Sequence, residues 1–413
     1  MNMGTDMVQT LSHIRVLDLG RVFSGPWTGQ MLADLGADVI KVERPGRGDD
    51  VRQQGYRAKD DAGNETAETS SFLAMNRGKR SVTVNMSSPE GQEVIRKLAA
   101  QCDVLIENFK AGDLARYGLD YESLKAINPR LVYCSITGFG QSGPYSHRPG
   151  YDPIFQSMSG LMSLTGNPEE EPGGGPQKVG YAVSDLTAGF YAIIGILAAL
   201  NHRDAVSGEG QYIDIALFDA QVASIGHIAM NYLVSGTIPR RMGTASPITC
   251  PYQAFECSDG YLMIAVGNDS QFRQFVQLLG LPELADDPRF LLNRLRAQNQ
   301  KELIPLLQAV MITRPIKEWQ TELDAMNVPC GPINDLSQVF EDPQLQHRNM
   351  LMHMQHSTAG NIPQIANPLK LSATPVTYRR PPPTLSEHTD EVLSELLGMD
   401  AAAITELREK KII

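Results

Sequence analysis

The sequence predicts an α/β fold, with a mostly parallel sheet in the N-terminal half and a smaller α+β domain after it. Three observations predict it. Short apolar runs alternate with helical patterns over residues 14–136. Glycine-containing loops follow the ends of those runs. From about residue 218 the texture changes, to a long helix and then a pair of strands turned at an Asp-Gly step. Strand–helix–strand alternation at such spacing implies βαβ units and a parallel sheet.

Taken in order, residues 14–19 form a buried strand and 26–35 a helix with Pro26 in its first turn, where a missing N–H costs nothing. The next strand is 38–42. Residues 89–100 are a helix with Glu90 in its first turn, and 103–107 and 131–136 are further strands. Ligands of such sheets bind beyond the carboxyl ends of the strands. The loops at those ends, 20–26, 43–50, 108–112 and 138–143, mix glycine with cations, amides or aromatic rings. Residues 138–143 match the spacing GxGxxG, a weak signal when it stands alone, and none of the loops contains GxxxxGK[ST], which excludes a P-loop. A Gly/Pro/Glu-rich loop at 166–180 is either a plain surface loop or a lid. It precedes Asp185, which stands at the mouth of an apolar stretch, 190–200. A long helix over 218–234 leads to Arg240 and Arg241. A hairpin pairs 252–257 with 261–266 around Ser258, Asp259 and Gly260. Helices follow to residue 323, the chain returns to the first domain near Pro332, and a polar helix follows the prolines at 381–383.

A chain of 413 residues is too long for one small core. Its 42% apolar and 20% charged residues are those of a soluble globular protein. It lacks a run of 18 apolar residues, so no membrane span is expected. Residues 1–7 carry an acid and no apolar core, unlike a signal peptide. The net charge of −11 argues against a nucleic-acid partner and leaves room for a local basic pocket. Five scattered cysteines without CxxC spacing fit no disulfide framework or structural zinc, and suit a reducing cytoplasm. The histidines show no HExxH pattern, His353 and His356 read as surface residues, and no metal is expected.

Asp185 has two readings. It caps a helix, or it is an ionised nucleophile held near the positive end of a helix dipole. Arg44, Arg47, Lys79, Arg80 and Arg116 are singly ordinary surface cations. Their recurrence beyond strand ends suggests phosphate binding. Asn108 and Phe109 set an amide beside a ring, a pair suited to a carbonyl and a stacked base. Ser24 and Ser142 lack the GxSxG elbow of a serine hydrolase.

The segments 16–26, 35–45, 76–81, 103–109 and 195–200, with Asp185 and Gly208-Glu-Gly-Gln211, resemble the class III CoA-transferases, the family of formyl-CoA transferase and carnitine CoA-transferase. The resemblance covers nearly the whole chain. It implies a large Rossmann-like α/β domain built from both chain ends, a smaller α+β domain, and two chains interlocked as a homodimer. The division it implies is 1–204 for the N-terminal part of the large domain, 205–230 for a linker helix, 231–330 for the small domain, and 331–413 for the return. It implies that Asp185 is the covalent nucleophile, and that Val22, Phe23, Ser24, Arg44, Lys79, Asn108, Phe109, Arg116 and Tyr117 line the site for coenzyme A. Acyl-CoA and a carboxylic acid are then the substrates, with no permanently bound cofactor and no metal.

Phe23 and Thr137 replace a glutamine and a lysine of formyl-CoA transferase, which points away from formyl and oxalate. Residues 227–233, 243–245, 251–255 and 331–334 are similar to succinyl-CoA–glutarate CoA-transferases, although Ser246 stands where that group has histidine. Succinyl-CoA and a short dicarboxylate such as glutarate or itaconate are the expected pair. Arg77, Arg148, Arg240 and Arg241 are candidates for the far carboxylate, and Gly138 or Gly140 for oxyanion binding. Two alternatives stay open. One is an acyl-CoA racemase of the same fold, with His147 as partner of Asp185. The other is a non-catalytic CoA-binding protein.

Overall fold

The computed structural model describes residues 9–413, so residues 1–7, read above as unlike a leader, lie outside the described residues. The chain divides into two compact units. One comprises the chain up to residue 161, 179–230 and 346–413, and the other 162–178 and 231–345.

The larger unit is built on six parallel strands: β1 (Arg15–Asp18), β2 (Asp38–Glu43), β3 (Lys79–Thr83), β4 (Val104–Glu107), β5 (Val132–Thr137) and β6 (Tyr212–Ala216). Their order is β3-β2-β1-β4-β5-β6, the doubly wound arrangement. Strand side chains alternate between two cores, as a period of two requires. Leu17, Ile40, Leu105 and Tyr133 face one core, and Val16, Val39, Val104, Ile106 and Val132 the other. Because both faces are covered, β1, β2, β4 and β5 read as mainly apolar runs. Helices α1 (Ser24–Asp34) and α4 (Val183–His202) lie on the second face. On the first lie α2 (Pro89–Ala100), α10 (Thr389–Leu397) and α11 (Ala401–Glu409). Between β5 and α4 comes α3 (Asp152–Met158).

Strands β3 and β6 have no counterpart in the sequence reading. Lys79 and Arg80 open β3 with two charges, yet both are buried, paired with Asp18 of β1 and Asp38 of β2. The helix expected over 218–234 is two, α5 (Leu217–Ser224) and α6 (Gly226–Ser235). Ser224 Oγ donates back to the Gln221 carbonyl at 2.7 Å, beside Gly226, and both disfavour a continuous ladder. The C-terminal helix is likewise a pair, broken at Gly398 with φ +63°. Residues 183–207 form a helical run with mean hydropathy 1.8, long and apolar enough by length and composition to cross a membrane. Ala188, Ala192, Ile196 and Ala199 bury one face of it in the sheet core, the placement of a core helix.

The smaller unit joins β7 (Tyr252–Cys257), β8 (Gly260–Ala265) and β9 (Cys330–Pro332) in one antiparallel sheet. Helices α7 (Asp269–Leu278), α8 (Gln300–Met311) and α9 (Ile316–Ala325) cover it with Phe272, Phe275, Leu303, Leu307 and Trp319. The loop segment 162–178, grouped with the large domain in the sequence reading, belongs here. Gln177 N donates to Thr165 O at 2.9 Å, Gly243 N to Gly166 O at 3.0 Å, and Arg241 pairs with Glu169. A hairpin of β10 (Leu351–His356) and β11 (Gly360–Ile365) returns to the larger unit. His356 is buried in it rather than on the surface. Its Nδ1 accepts the Thr358 and Ala359 N–H groups, each at 3.1 Å, and so ties the turn.

Candidate active site

The strand order reverses between β1 and β4, and a crevice opens beyond their carboxyl ends. The chain leaves β1 through Gly20. A Cβ there would lie 2.9 Å from the Gly25 Cα, so the turn closes only with glycine at both positions. Asn108, just past β4, clamps the next residue. It accepts from Arg21 N at 2.8 Å and donates to Arg21 O at 2.7 Å. Val22 follows with φ +66°, a left-handed conformation that costs about 1–3 kcal/mol for a non-glycine residue. Asp49 Oδ1 holds it by accepting its N–H at 3.0 Å. This turn delivers Ser24 as the first residue of α1.

A cleft of about 280 Å³ lies on one side of the turn. Arg21, Arg44, Phe109, Arg116 and Tyr117 are among its walls. Arg21 lies over the Phe109 ring at 4.3 Å, and Arg116 over Tyr117 at 4.7 Å. Arg44 is half-exposed and paired with Asp50 at 2.6 Å. Cations that can turn to an anion stand here beside rings that can stack, the chemistry that a phosphorylated nucleotide calls for. Val22 and Phe23 run on from the cleft and pack against Val51, Phe72 and Met75. Of the sequence-predicted set, Arg44, Phe109, Arg116 and Tyr117 line this cleft, Val22, Phe23, Ser24 and Asn108 form or clamp the turn beside it, and Lys79 does neither. Lys79 is fully buried, and its ammonium donates to Asp18 Oδ2 at 2.8 Å, Pro26 O at 2.6 Å and Asn76 Oδ1 at 2.9 Å. With all three N–H donors engaged beneath α1, it has none to offer a phosphate. Arg47 shares Asp50 with Arg44, and Arg80 is taken by Asp38, Glu391 and Glu395.

Asp185 is the third residue of α4, with Ala182 at the cap position offering no side chain. The cap is supplied from elsewhere. Asp152 Oδ1 accepts from Ser184 N at 2.7 Å and from Asp185 N at 3.3 Å. Asp152 is itself fixed by Gln156 Nε2 at 2.5 Å, and Ser184 Oγ donates to Gln221 at 2.9 Å. Asp185 is thus relieved of capping and its carboxylate is free to point elsewhere. Burial pushes it up to about 6, the neighbouring Asp152 charge adds to this, and the Ser24 hydroxyl and backbone N–H oppose it. A carboxylate at the N-termini of α1 and α4, with no ion pair among the described residues, is a desolvated anion suited to attack.

Asp152, Gln156, Gln221 and Arg21 had not been singled out. The Asp152-Pro153 step is a visible helix start, but its role for a helix more than 30 residues later is not. Arg77 is excluded from substrate, since Asp34 and the Ile365 carbonyl occupy it. Arg148 lies over Phe139 and Tyr145 on an exposed loop, and Arg240 is exposed. Gly140 N is committed to Thr137 Oγ1 at 3.0 Å. His147 is exposed on the loop that carries Arg148. The cysteines form no disulfide, and no metal-ligand cluster occurs among the described residues.

The sequence profile of CoA-transferase family III matches residues 11–389. A succinate–glutarate CoA-transferase of Agrobacterium fabrum is 46% identical over 393 residues, which cover 95% of this chain and 97% of that protein. The succinyl-CoA:glutarate CoA-transferase of Homo sapiens is 41% identical over 406 residues, 98% of this chain and 90% of that one. Among solved structures, a CAIB/BAIF family protein from Brucella suis superposes with a TM-score of 0.84 at 46% identity, covering 94% of this chain and 99% of that one.

Proposed function

The chain belongs to CoA-transferase family III, and on that premise we propose that it moves CoA from succinyl-CoA to glutarate through a covalent intermediate on Asp185. The observation that carries the proposal is the unpaired, half-buried Asp185 carboxylate at the end of the segment leading from the basic, aromatic cleft.

One Asp185 oxygen attacks the thioester carbonyl of succinyl-CoA. The C–S bond breaks, leaving a mixed anhydride and CoA thiolate. The thiolate attacks the aspartyl carbonyl, forms an aspartyl thioester and expels succinate. Glutarate then attacks that thioester, giving a second anhydride and freeing thiolate. Attack of the thiolate on the glutaryl carbonyl yields glutaryl-CoA and restores the carboxylate. No net proton or electron is transferred, so the cycle asks only for a nucleophile, oriented donors and exclusion of water. Ser24 and the first N–H groups of α1 are the donors we assign to the developing oxyanions, in place of Gly140. The Arg44, Arg116 and Phe109 walls hold the nucleotide, and Val22 to Ser24 guide the arm.

Glutarate carries a second carboxylate, which needs a charged partner once water is excluded. Arg148, in the same unit as Asp185, remains a candidate. Comparing kcat/KM for glutarate and valerate tests the assignment. A preference for glutarate of about 5- to 150-fold is expected, from an unpaired buried cation costing ~1–3 kcal/mol. Parity would remove the dicarboxylate and leave CoA transfer standing.

The interlocked homodimer is part of the same proposal. Phe190 and Ile194 on α4 of the larger unit are more than half exposed, as are Leu233, Val234 and Ile238 of the smaller, apolar side chains in each unit that support contact with a second copy. Light scattering over a dilution series checks it, and a folded monomer at low concentration rejects it.

A further inference from the structure

Arg21 is the residue of the cleft whose chemistry the protein itself leaves incomplete. Its backbone is held on both sides by Asn108, and the next residue is strained and pinned by Asp49. Its guanidinium carbon lies over the Phe109 ring at 4.3 Å. The other cations of the cleft have acidic partners: Lys41 pairs with Asp49 at 2.8 Å, Arg44 with Asp50 at 2.6 Å, and Arg116 reaches Asp113 at 4.0 Å. Arg21 joins no ion pair among the described residues, and its Nε is buried without a hydrogen-bond partner. Glu107 is close enough to feel its charge, but that carboxyl is engaged by Phe109 N at 2.8 Å and makes no ion pair with it. A fixed guanidinium stacked on a ring offers a planar fork, the geometry that suits a phosphate better than an ammonium does.

Its position in the chain selects which phosphate. Arg21 stacks on the ring that would carry the base, and stands three residues before Ser24, a span of at most ~10 Å. It therefore lies between the nucleotide end of the cleft and the reacting carboxylate. Resting on the proposed CoA-transfer function, we infer that Arg21 is the residue that binds the diphosphate bridge of CoA and so sets how far the thioester reaches toward Asp185. The 3′-phosphate falls to Arg44 or Arg116 at the open end of the cleft.

The test compares wild type, Arg21→Ala and Arg21→Lys with three donors: succinyl-CoA, its 3′-dephospho form and succinylpantetheine, which lacks the diphosphate. Arg21→Ala should lower kcat/KM about 10- to 100-fold for the first two donors. With succinylpantetheine its rate should stay within about twofold of wild type. Arg21→Lys keeps the charge but not the fork, and should fall between. Equal losses on all three donors would overturn the assignment in favour of a contact at the acyl end or a structural role. A loss confined to succinyl-CoA would move the contact to the 3′-phosphate, and no loss anywhere would remove Arg21 from the site. Calorimetry of free CoA with wild type keeps this separate from the broader proposal, because failure to bind CoA at all would reject that proposal instead.

Discussion

Two groups of buried carboxylates sit on either side of α1, and they are treated in opposite ways. Beneath it, Asp18, Glu43 and Asp49 share a floor with Lys79, Arg52 and Lys41. Burial alone would raise Glu43 and Asp49. The two-pronged Arg52 contact and the Lys41 ammonium outweigh it and hold both below the usual carboxylate range. At its N-terminus stands Asp185, whose neighbours are a serine and another carboxylate. No cation offsets its burial, and it moves the other way, to about 6. Burial is common to both groups, so burial does not mark the reactive residue. What distinguishes them is whether the fold answers the charge. The answered carboxylates fix strands to one another; of those without an ion pair, Glu107, also raised by burial, accepts from Phe109 N, and Asp185 at the helix N-termini is left to react.

The largest effect that would break this contrast is at Asp185 itself. Asp185→Asn should lower transfer by at least about a thousandfold while CoA still binds. The same variant should be more stable than wild type at pH 8. Because Asp185 binds its proton more tightly folded, near 6, than unfolded, near ~3.9, its favourable contribution is complete below about pH 4 and is lost as pH rises through 6. Asparagine lacks that loss, so the gain, about 1–2 kcal/mol at pH 8, should vanish in acid. Scanning calorimetry at the two pH values reads it, and a destabilised Asp185→Asn at pH 8 would contradict an unanswered charge.

Lys79→Ala tests the other side. It leaves Asp18 buried without its partner and should destabilise the protein by about 3–5 kcal/mol in urea unfolding. CoA affinity of the folded protein should change little. The reverse pattern, normal stability with weakened CoA binding, would return Lys79 to the ligand site.

The smallest effects are shifts in pH dependence. Below about 6, kcat/KM should fall roughly tenfold per pH unit as Asp185 protonates. Ser24→Ala removes a donor to the anion and should move that limb to higher pH. Asp152→Asn keeps an acceptor for the Ser184 N–H but removes the charge, and should move it lower. If neither variant moves the limb, the titrating group is not Asp185.

How much of this was legible in the sequence follows the same division. β1, β2, β4 and β5 were visible because both faces of each are covered, which leaves mainly apolar runs. β3 was not, because Lys79 and Arg80 look like surface until Asp18 and Asp38, tens of residues away, are set beside them. Asp185, Arg44, Asn108, Phe109 and Arg116 could be named from loops and motif order. Asp152, which decides that Asp185 is not a cap, could not, because its hydrogen bonds cross more than 30 residues. Neither could the solitary state of Arg21, which is defined by partners it lacks. Local periodicity carries strands and helices, whereas the pairing of charges is a property of the folded arrangement alone.

The closure of the first core by the chain's late segment also sets a timetable. Thr83 N donates to Thr389 Oγ1 across 306 residues, and Val392, Leu393 and Ile404 complete the layer over Leu17, Ile40 and Val82. At ~5–20 residues per second of synthesis, that face of β2 and β3 waits roughly 15–60 s for its cover. During translation the nascent sheet therefore presents an open apolar flank, a natural target for a holding chaperone. Expression yield should depend on how well that flank is guarded before α10 emerges.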